Sequence, residues 1–186
     1  MFTPPITRND ETSFLMTIII DNGDVEGVKA VLRSGMFIDL NEAFHRALWN
    51  NNREMIEFLL EKGADIHTYG DFALREAASN GKTDQVRFFL DKGANVHAYE
   101  DRALRSAVGD YVPTEIVKML LDAGANVHAN NDEAICTAAR YGRTDVVRLL
   151  LKAEGDFWPG RLDDAIDLAT KHQHLKTAKV LKSYTK

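Results

Sequence analysis

The sequence predicts an all-α protein built from about six stacked helix-turn-helix units. Two observations predict this fold: a tripeptide that recurs at intervals of 30 and 31 residues, and apolar residues spaced at i, i+3 and i+4 between the copies. A third is the lack of sustained polar–apolar alternation, which argues against strands. Helices shorter than about 12 residues are marginal alone in water, so stability must come from stacking of the units.

The recurring tripeptide is Gly-Ala followed by Asp or Asn, and an aliphatic residue and a histidine come next. Its three copies begin at Gly63, Gly93 and Gly124. Glycine at the end of a helix commonly adopts the left-handed conformation that stops the helix. We therefore place the end of a unit's second helix at each of these glycines.

The first helix of each unit is rich in alanine. A small or apolar pair such as Ala73-Leu74 is followed four residues later by another such as Ala77-Ala78, which places all four side chains on one stripe. The predicted N-caps of the first helices are Ser13, Asn41, Asp71, Asp101, Asp132 and Asp163. The predicted N-caps of the second helices are Thr83, Thr114 and Thr144. After an extension of residues 1–12, a single array covers 13–183, with units at about 13–40, 41–70, 71–100, 101–130, 131–160 and 161–183.

Composition narrows the class of protein. The chain has 186 residues, 45% apolar and 27% charged, which is the balance of a globular domain. The net charge of −5 weighs against binding to nucleic-acid phosphates. Cys136 is the only cysteine, so an internal disulfide is excluded and a reducing compartment is favoured. With no signal peptide and no membrane-spanning run, we expect a cytoplasmic location.

Residues 73–95 carry a family resemblance. Ala73-Leu-Arg-Glu-Ala-Ala-Ser-Asn-Gly81, then Val86 to Leu90, then Asp91-Lys-Gly-Ala-Asn95 resemble the second half of an ankyrin repeat. The likeness covers about residues 12 to 183 and implies an ankyrin-repeat solenoid. The family's Thr-Pro-Leu-His tetrapeptide is absent, so short turns are expected in place of its projecting β-hairpins. Units of this kind are similar to those of large DNA viruses, phages and some bacteria, which favours a viral or bacterial source.

No motif for catalysis or for a cofactor occurs in the sequence. His67, His97 and His128 recur at equivalent positions, but packed elements stand about 8–10 Å apart and zinc needs nitrogen ligands at about 2 Å. We therefore expect each imidazole to form hydrogen bonds within its own loop. Cys136 is interpreted as a small packing residue. The sequence predicts no catalytic residue, no metal and no cofactor.

The ankyrin resemblance implies a concave protein-binding face, formed by the first helices and the loops before them. The positions mapped to this face are Trp49, Asn50, Tyr69, Arg75, Asn80, Tyr99, Arg105, Arg140 and Tyr141, with Trp158 as a further loop position. Trp49 is the first choice, because the matching positions in other units hold no large apolar residue. Tyr69 and Tyr99 have a second interpretation, in which each covers the loop of a neighbouring unit.

The leading hypothesis is a non-enzymatic module that binds a partner protein through its concave face and acts by occupancy. It would act as an inhibitor, a sequestering protein or an adaptor, such as a viral or phage counter-defence factor or a bacterial immunity protein. We expect it to be a monomer. The alternative is binding of nucleic acid or a small acidic ligand. This alternative depends on an arginine ladder formed by Arg46, Arg75 and Arg105, which lie between the apolar pairs of their helices. A second interpretation is that these arginines pair with loop carboxylates.

Overall fold

The computed structural model describes residues 8–153 and 160–185, with side chains from residue 15 onward. Trp158 lies outside the described residues. The helices of the described part are α1 (Arg8–Asp21), α2 (Val25–Arg33), α3 (Leu40–Trp49), α4 (Arg53–Glu61), α5 (Thr68–Ser79), α6 (Thr83–Asp91), α7 (Ala98–Ala107), α8 (Thr114–Asp122), α9 (Ala129–Arg140), α10 (Thr144–Ala153), α11 (Asp163–Lys171) and α12 (Leu175–Tyr184). No strand occurs in these ranges, and the all-α prediction is confirmed.

The chain divides into two compact units, an N-terminal unit that ends at Thr68 and a C-terminal unit that begins at Tyr69. In the N-terminal unit α1 packs on α3 and α2 packs on α4. In the C-terminal unit the first helices α7, α9 and α11 pack in one row, and the second helices α6, α8, α10 and α12 pack in another. Each unit therefore has the two layers that stacked helix pairs predict.

The interior follows the predicted pattern. The buried alanines of the C-terminal unit's first helices are Ala73, Ala77, Ala78, Ala103, Ala107, Ala129, Ala134, Ala138, Ala139, Ala165 and Ala169. The larger side chains Phe89, Leu120 and Leu150 of the second helices are fully buried. Since alanine extends only one carbon from the backbone, neighbouring first helices can approach closely. No helix of the described residues combines the length and the apolar character that crossing a membrane requires.

Several predicted helix starts are wrong. The first helix begins at Arg8 and not at Ser13, because neither proline nor glycine interrupts the chain between Arg8 and Asp21. Helix α3 is capped by Asp39, whose side chain accepts the N–H groups of Asn41 and Glu42, rather than by Asn41 itself.

The threonines predicted to cap the second helices are the first residues of those helices. Thr114 and Thr144 turn their hydroxyl groups to the next repeat: Thr114 donates to Asp145, and the hydroxyls of Thr144 and Thr177 lie 2.7 Å apart. A side chain that serves a neighbouring repeat is then unavailable to cap its own helix. Sequence spacing does not distinguish these two uses.

The loops between units are short turns, as the missing tetrapeptide predicts. Three consecutive residues have left-handed backbone at Tyr69–Asp71, Tyr99–Asp101 and Asn130–Asp132, with φ between 50° and 63°. We call each of these a left-handed turn. Left-handed backbone costs roughly 1–2 kcal/mol per residue, less for Asn and Asp, and Gly70 is the single glycine among the nine residues. Contacts elsewhere must offset this cost.

Candidate protein-binding surface

Aspartates at the ends of the left-handed turns connect the start of one repeat to the loop that leads into the next repeat. Asp71 accepts the backbone N–H of Asn95 at 2.7 Å, and Asp101 accepts that of Asn126 at 2.9 Å. Both carboxylates are buried. Asp101 does not cap its own helix as predicted, because its side chain bonds to that loop instead. These contacts are called inter-repeat hydrogen bonds below.

The recurring histidines bond to the same aspartates. His97 Nδ1 lies 2.9 Å from Asp101 Oδ1, and His128 Nδ1 lies 2.5 Å from Asp132 Oδ1. The prediction that the imidazoles bond within their loops is confirmed for these two residues. Within residues 8–153 and 160–185, no group of three His, Cys, Asp or Glu side chains is arranged to hold a metal ion.

Arg75 supports the first left-handed turn from inside its own helix. Its guanidinium donates to the carbonyl oxygens of Gly70 and Tyr69, each at 2.9 Å. The same group lies 4.5 Å from the centre of the Tyr99 ring, a distance at which cation–π attraction operates. Arg75 therefore joins its own turn to an aromatic residue of the next turn.

Arg105 occupies the equivalent position in the next repeat and makes a similar set of contacts. It donates to the carbonyl oxygens of Tyr99 and Glu100 at 3.0 and 3.1 Å, and to Glu133 on α9 at 2.6 Å. Its side chain is only 11% exposed. The hydrogen bond from Asn130 and those from Arg105 hold the pKa of the Glu133 carboxyl below its usual value, although partial burial opposes them.

The arginines of the predicted ladder all have partners within the chain. In the N-terminal unit Arg46 donates to Thr17 at 3.2 Å and lies 3.9 Å from Glu42. Counted from the preceding apolar pair, Arg46 also stands one position later than Arg75 and Arg105 do. Charges already used by the chain's own carbonyl and carboxylate groups are less available to phosphate, so the geometry does not favour the nucleic-acid alternative.

Tyr99 agrees with both interpretations made from the sequence, as a cover for a neighbouring loop and as a position on the binding face. A β-carbon placed on Gly70 would stand 2.3 Å from Tyr99 Cε2, so the ring lies directly on the turn of the preceding repeat. The side chain is still 63% exposed. Tyr69, at the equivalent position, is also exposed. Tyr99 is thus a fixed aromatic group with a free face.

Trp49 and Asn50 lie at the end of α3 in the N-terminal unit. Trp49 is 67% exposed, and its indole N–H donates to His45 Nε2 at 3.3 Å, with the two rings edge to face. The Asn50 amide donates to Asp21 at 2.9 Å. Trp49 therefore presents a large aromatic surface whose orientation is set by a neighbour on the same helix.

The predicted binding residues of the C-terminal unit fall into two groups. The loop-end group is Tyr69, Arg75, Tyr99 and Arg105, and the turn-end group is Asn80, Arg140 and Tyr141. The structure brings Arg75 and Tyr99 into contact. The turn-end group lies at the opposite ends of the first helices, about 12 Å from the left-handed turns along the eight helical residues that follow the turn in α5 and in α9. A partner that touches both groups must span the length of the helices.

Sequence reasoning missed a groove on the first-helix side of the C-terminal unit. It has a volume of about 640 Å³ and is lined by Cys136, Asp164, Asp167, Leu168, Thr170 and Lys171. Burial, together with the charges of Asp164 and Asp132, raises the pKa of the Cys136 thiol to about 11, against the opposing effect of Arg140. The thiol is therefore protonated at neutral pH and is not a nucleophile.

Two strongly exposed aromatic side chains were also missed. Tyr111 is 95% exposed and Phe37 is 86% exposed. The signal for Tyr111 was present in the sequence, because it falls in the repeat that is one residue longer than its predecessor.

Comparison with protein families covers most of the chain. A family described as ankyrin repeats (3 copies) matches residues 107–186. Families described as ankyrin repeat match residues 39–68 and 69–101. No curated protein sequence matches the chain. Ankyrin repeats are in general modules for protein–protein interaction.

Proposed function

Because the chain belongs to the ankyrin repeat family, we propose that it binds a partner protein through its first helices and the turns that precede them. This surface is the concave face in the family. The residues proposed for it are Trp49, Asn50, Tyr69, Arg75, Asn80, Tyr99, Arg105, Arg140 and Tyr141. Arg75 and Arg105 have a positioning role in this proposal, since they hold the left-handed turns.

The observation that carries the proposal is an aromatic side chain that is held in place and yet exposed. Tyr99 is fixed between Gly70 and Arg75 while most of its surface faces solvent. Ordering a side chain at an interface costs roughly 0.5–1.5 kcal/mol, and a side chain already ordered avoids much of that cost. In the N-terminal unit, the hydrogen bond to His45 prepares Trp49 in the same way.

The proposed mode of action is occupancy. The chain would block, sequester or recruit its partner without transforming it, as a viral counter-defence factor or a bacterial immunity protein does. It would act in the cytoplasm, as a monomer and without catalysis. Among the described residues, the Cys136 groove comes closest to resembling a reactive site. Its thiol is protonated, which fits a binding role better than a catalytic one.

The test begins with affinity capture and mass spectrometry in cells of the source, followed by binding measurements on the recovered partner. Trp49→Ala and Tyr99→Ala are compared with Tyr184→Ala, which truncates an aromatic residue of similar exposure on α12. Truncation of an interface anchor costs about 2 kcal/mol, or roughly a 30-fold rise in Kd. We expect that rise for at least one of the first two variants and none for Tyr184→Ala.

Equal affinity of all three variants for the partner, with unchanged circular dichroism, would remove the first-helix face from the interface. A Tyr184→Ala variant that alone loses binding would move the interface to the second helices. Arg75 and Arg105 are left intact, because their loss would disturb the turns and confuse folding with binding.

A further inference from the structure

The first helices of the C-terminal unit share one position that faces the next repeat. On α5 and α7 this position holds Arg75 and Arg105, and on α9 it holds Cys136. Arg105 reaches from α7 to Glu133, the residue that precedes the apolar pair of α9. The third repeat of this row therefore lacks the arginine that its predecessors have.

The carboxylate that would pair with such an arginine is still present. Asp164 on α11 stands where Glu133 stands on α9, directly before the apolar pair Ala165-Ile166. Helices α9 and α11 pack against each other as α7 and α9 do. Arg105 fills the space between its two helices, whereas the short side chain of Cys136 leaves a groove of about 640 Å³.

We propose that this groove receives the side chain of an arginine from the partner protein, which takes the position that Arg105 takes one repeat earlier. The guanidinium would donate to Asp164, and to Asp167 one turn further along α11. Its methylene groups would lie on Leu168, which also lines the groove. The inference rests on the proposed function, because it assigns partner chemistry to the same first-helix face.

The charges around the groove favour a cation at its anionic end. Asp164 and Asp167 are exposed, and no hydrogen bond or ion pair joins them to any described residue. Lys171 lines the groove one turn beyond Asp167, and the charge of Arg140 also reaches Cys136. The anionic end is therefore the end nearest Asp164. A planar guanidinium suits carboxylates better than an ammonium group does, because it donates two parallel hydrogen bonds.

The test is a nuclear magnetic resonance titration of the full chain with Nα-acetyl-arginine amide. Nα-acetyl-citrulline amide is the matched control, since it has the same shape without the charge, and Nα-acetyl-lysine amide tests the guanidinium. We expect saturable shifts at the amides of Cys136, Asp164 and Asp167 with the arginine probe. Citrulline should give none, and the D164N/D167N variant should bind the arginine probe roughly tenfold more weakly.

A second variant, C136R, places an arginine on α9 at the position that holds arginine on α5 and α7. In C136R the introduced guanidinium should pair with Asp164, abolish the arginine-induced shifts and raise the Tm by about 3 °C. It should also weaken capture of the partner. D164N/D167N adds no bulk to the groove, so the titration remains decisive if C136R fails to fold.

Equal shifts with citrulline, equal binding of lysine, or no saturation by arginine would each overturn the assignment of a guanidinium site. Saturation by arginine with unchanged partner capture by C136R would overturn the claim that the partner supplies the arginine. The titration uses no partner, so its failure is distinct from failure of the proposed function, which the Trp49 and Tyr99 variants test.

Discussion

The helices α3 and α7 begin in different ways, although both are first helices of a repeat. In the N-terminal unit, Asp39 has extended backbone and caps α3 with two local hydrogen bonds. In the C-terminal unit α7 has no side-chain cap, and three left-handed residues end at Asp101. Asp101 instead accepts the backbone N–H of Asn126, 25 residues later in the chain. One helix start is stabilised locally and the other by the loop that leads into the next repeat.

This difference shows how a repeat array can replace β-hairpins with strained turns. The left-handed residues cost free energy, which the arginine contacts and the inter-repeat hydrogen bonds offset. The hydrogen bond of Asp101 can form only after the loop that leads into the next repeat has packed against the turn. Turn formation in the C-terminal unit is therefore coupled to stacking. The start of α3 needs no such coupling, although Asn41 of that helix also accepts the N–H of Asp65 at 2.7 Å.

The largest expected effect is that of Asp101→Ala. The change removes the acceptor for Asn126 and His97 and places alanine at a left-handed position, so we expect a loss of about 3 kcal/mol in the free energy of unfolding. Urea denaturation monitored by circular dichroism measures it. Asp101→Asn is the control, because it keeps an acceptor and tolerates left-handed backbone, and it should lose clearly less. Equal losses would show that charge, and not the inter-repeat hydrogen bond, stabilises the turn.

Arg105→Ala should come next, with a loss of about 2 kcal/mol, because three carbonyl and carboxylate groups lose a charged donor. Arg46→Ala is the matched change in the N-terminal unit, where the arginine has weaker contacts, and it should cost less than half as much. Denaturation under the same conditions compares the two. A larger effect at Arg46 would contradict the assignment of Arg105 as the support of the turn.

Asp39→Ala tests the local helix start. Loss of an N-cap typically costs about 1 kcal/mol, and here the effect should remain within the N-terminal unit. Hydrogen exchange of backbone amides should show faster exchange at the start of α3 and unchanged exchange in α7 and α9. Faster exchange across the C-terminal unit would mean that the cap of α3 is not a local feature.

The smallest expected effect is on the loss of stability at acidic pH. The hydrogen bond from Asn130, with those from Arg105, lowers the folded-state pKa of Glu133 below its usual 4.5. Its stabilising contribution is therefore fully present above about pH 5 and is lost as the pH falls below 4.5 through the lowered value. Glu133→Gln should reduce the slope of stability against pH in that range. Glu26→Gln is the N-terminal comparison, where Lys29 lowers the pKa of an exposed carboxyl, and it should change the slope less.

Much of the fold could be read from the sequence alone. Helical periodicity and the glycines that end α4, α6 and α8 located the helices, and the alanine pairs identified the side that is buried. These features are local, since each depends on residues within about four positions of one another. The repeat interval then implied that the helix pairs stack.

Only the tertiary structure decided how the polar side chains are used. Asp101 has the residue type of a helix cap but bonds to the loop that leads into the next repeat, and Arg105 was a candidate for binding a ligand but supports a turn. The groove beside Cys136 exists because a small residue there stands across from α11. The hydrogen bonds from Arg105 to Glu133 and from Asn126 to Asp101 join residues 28 and 25 positions apart in the chain, which local propensity does not describe. The sequence by itself determined the helices and the stacking interval, and packing determined the surface that a partner meets.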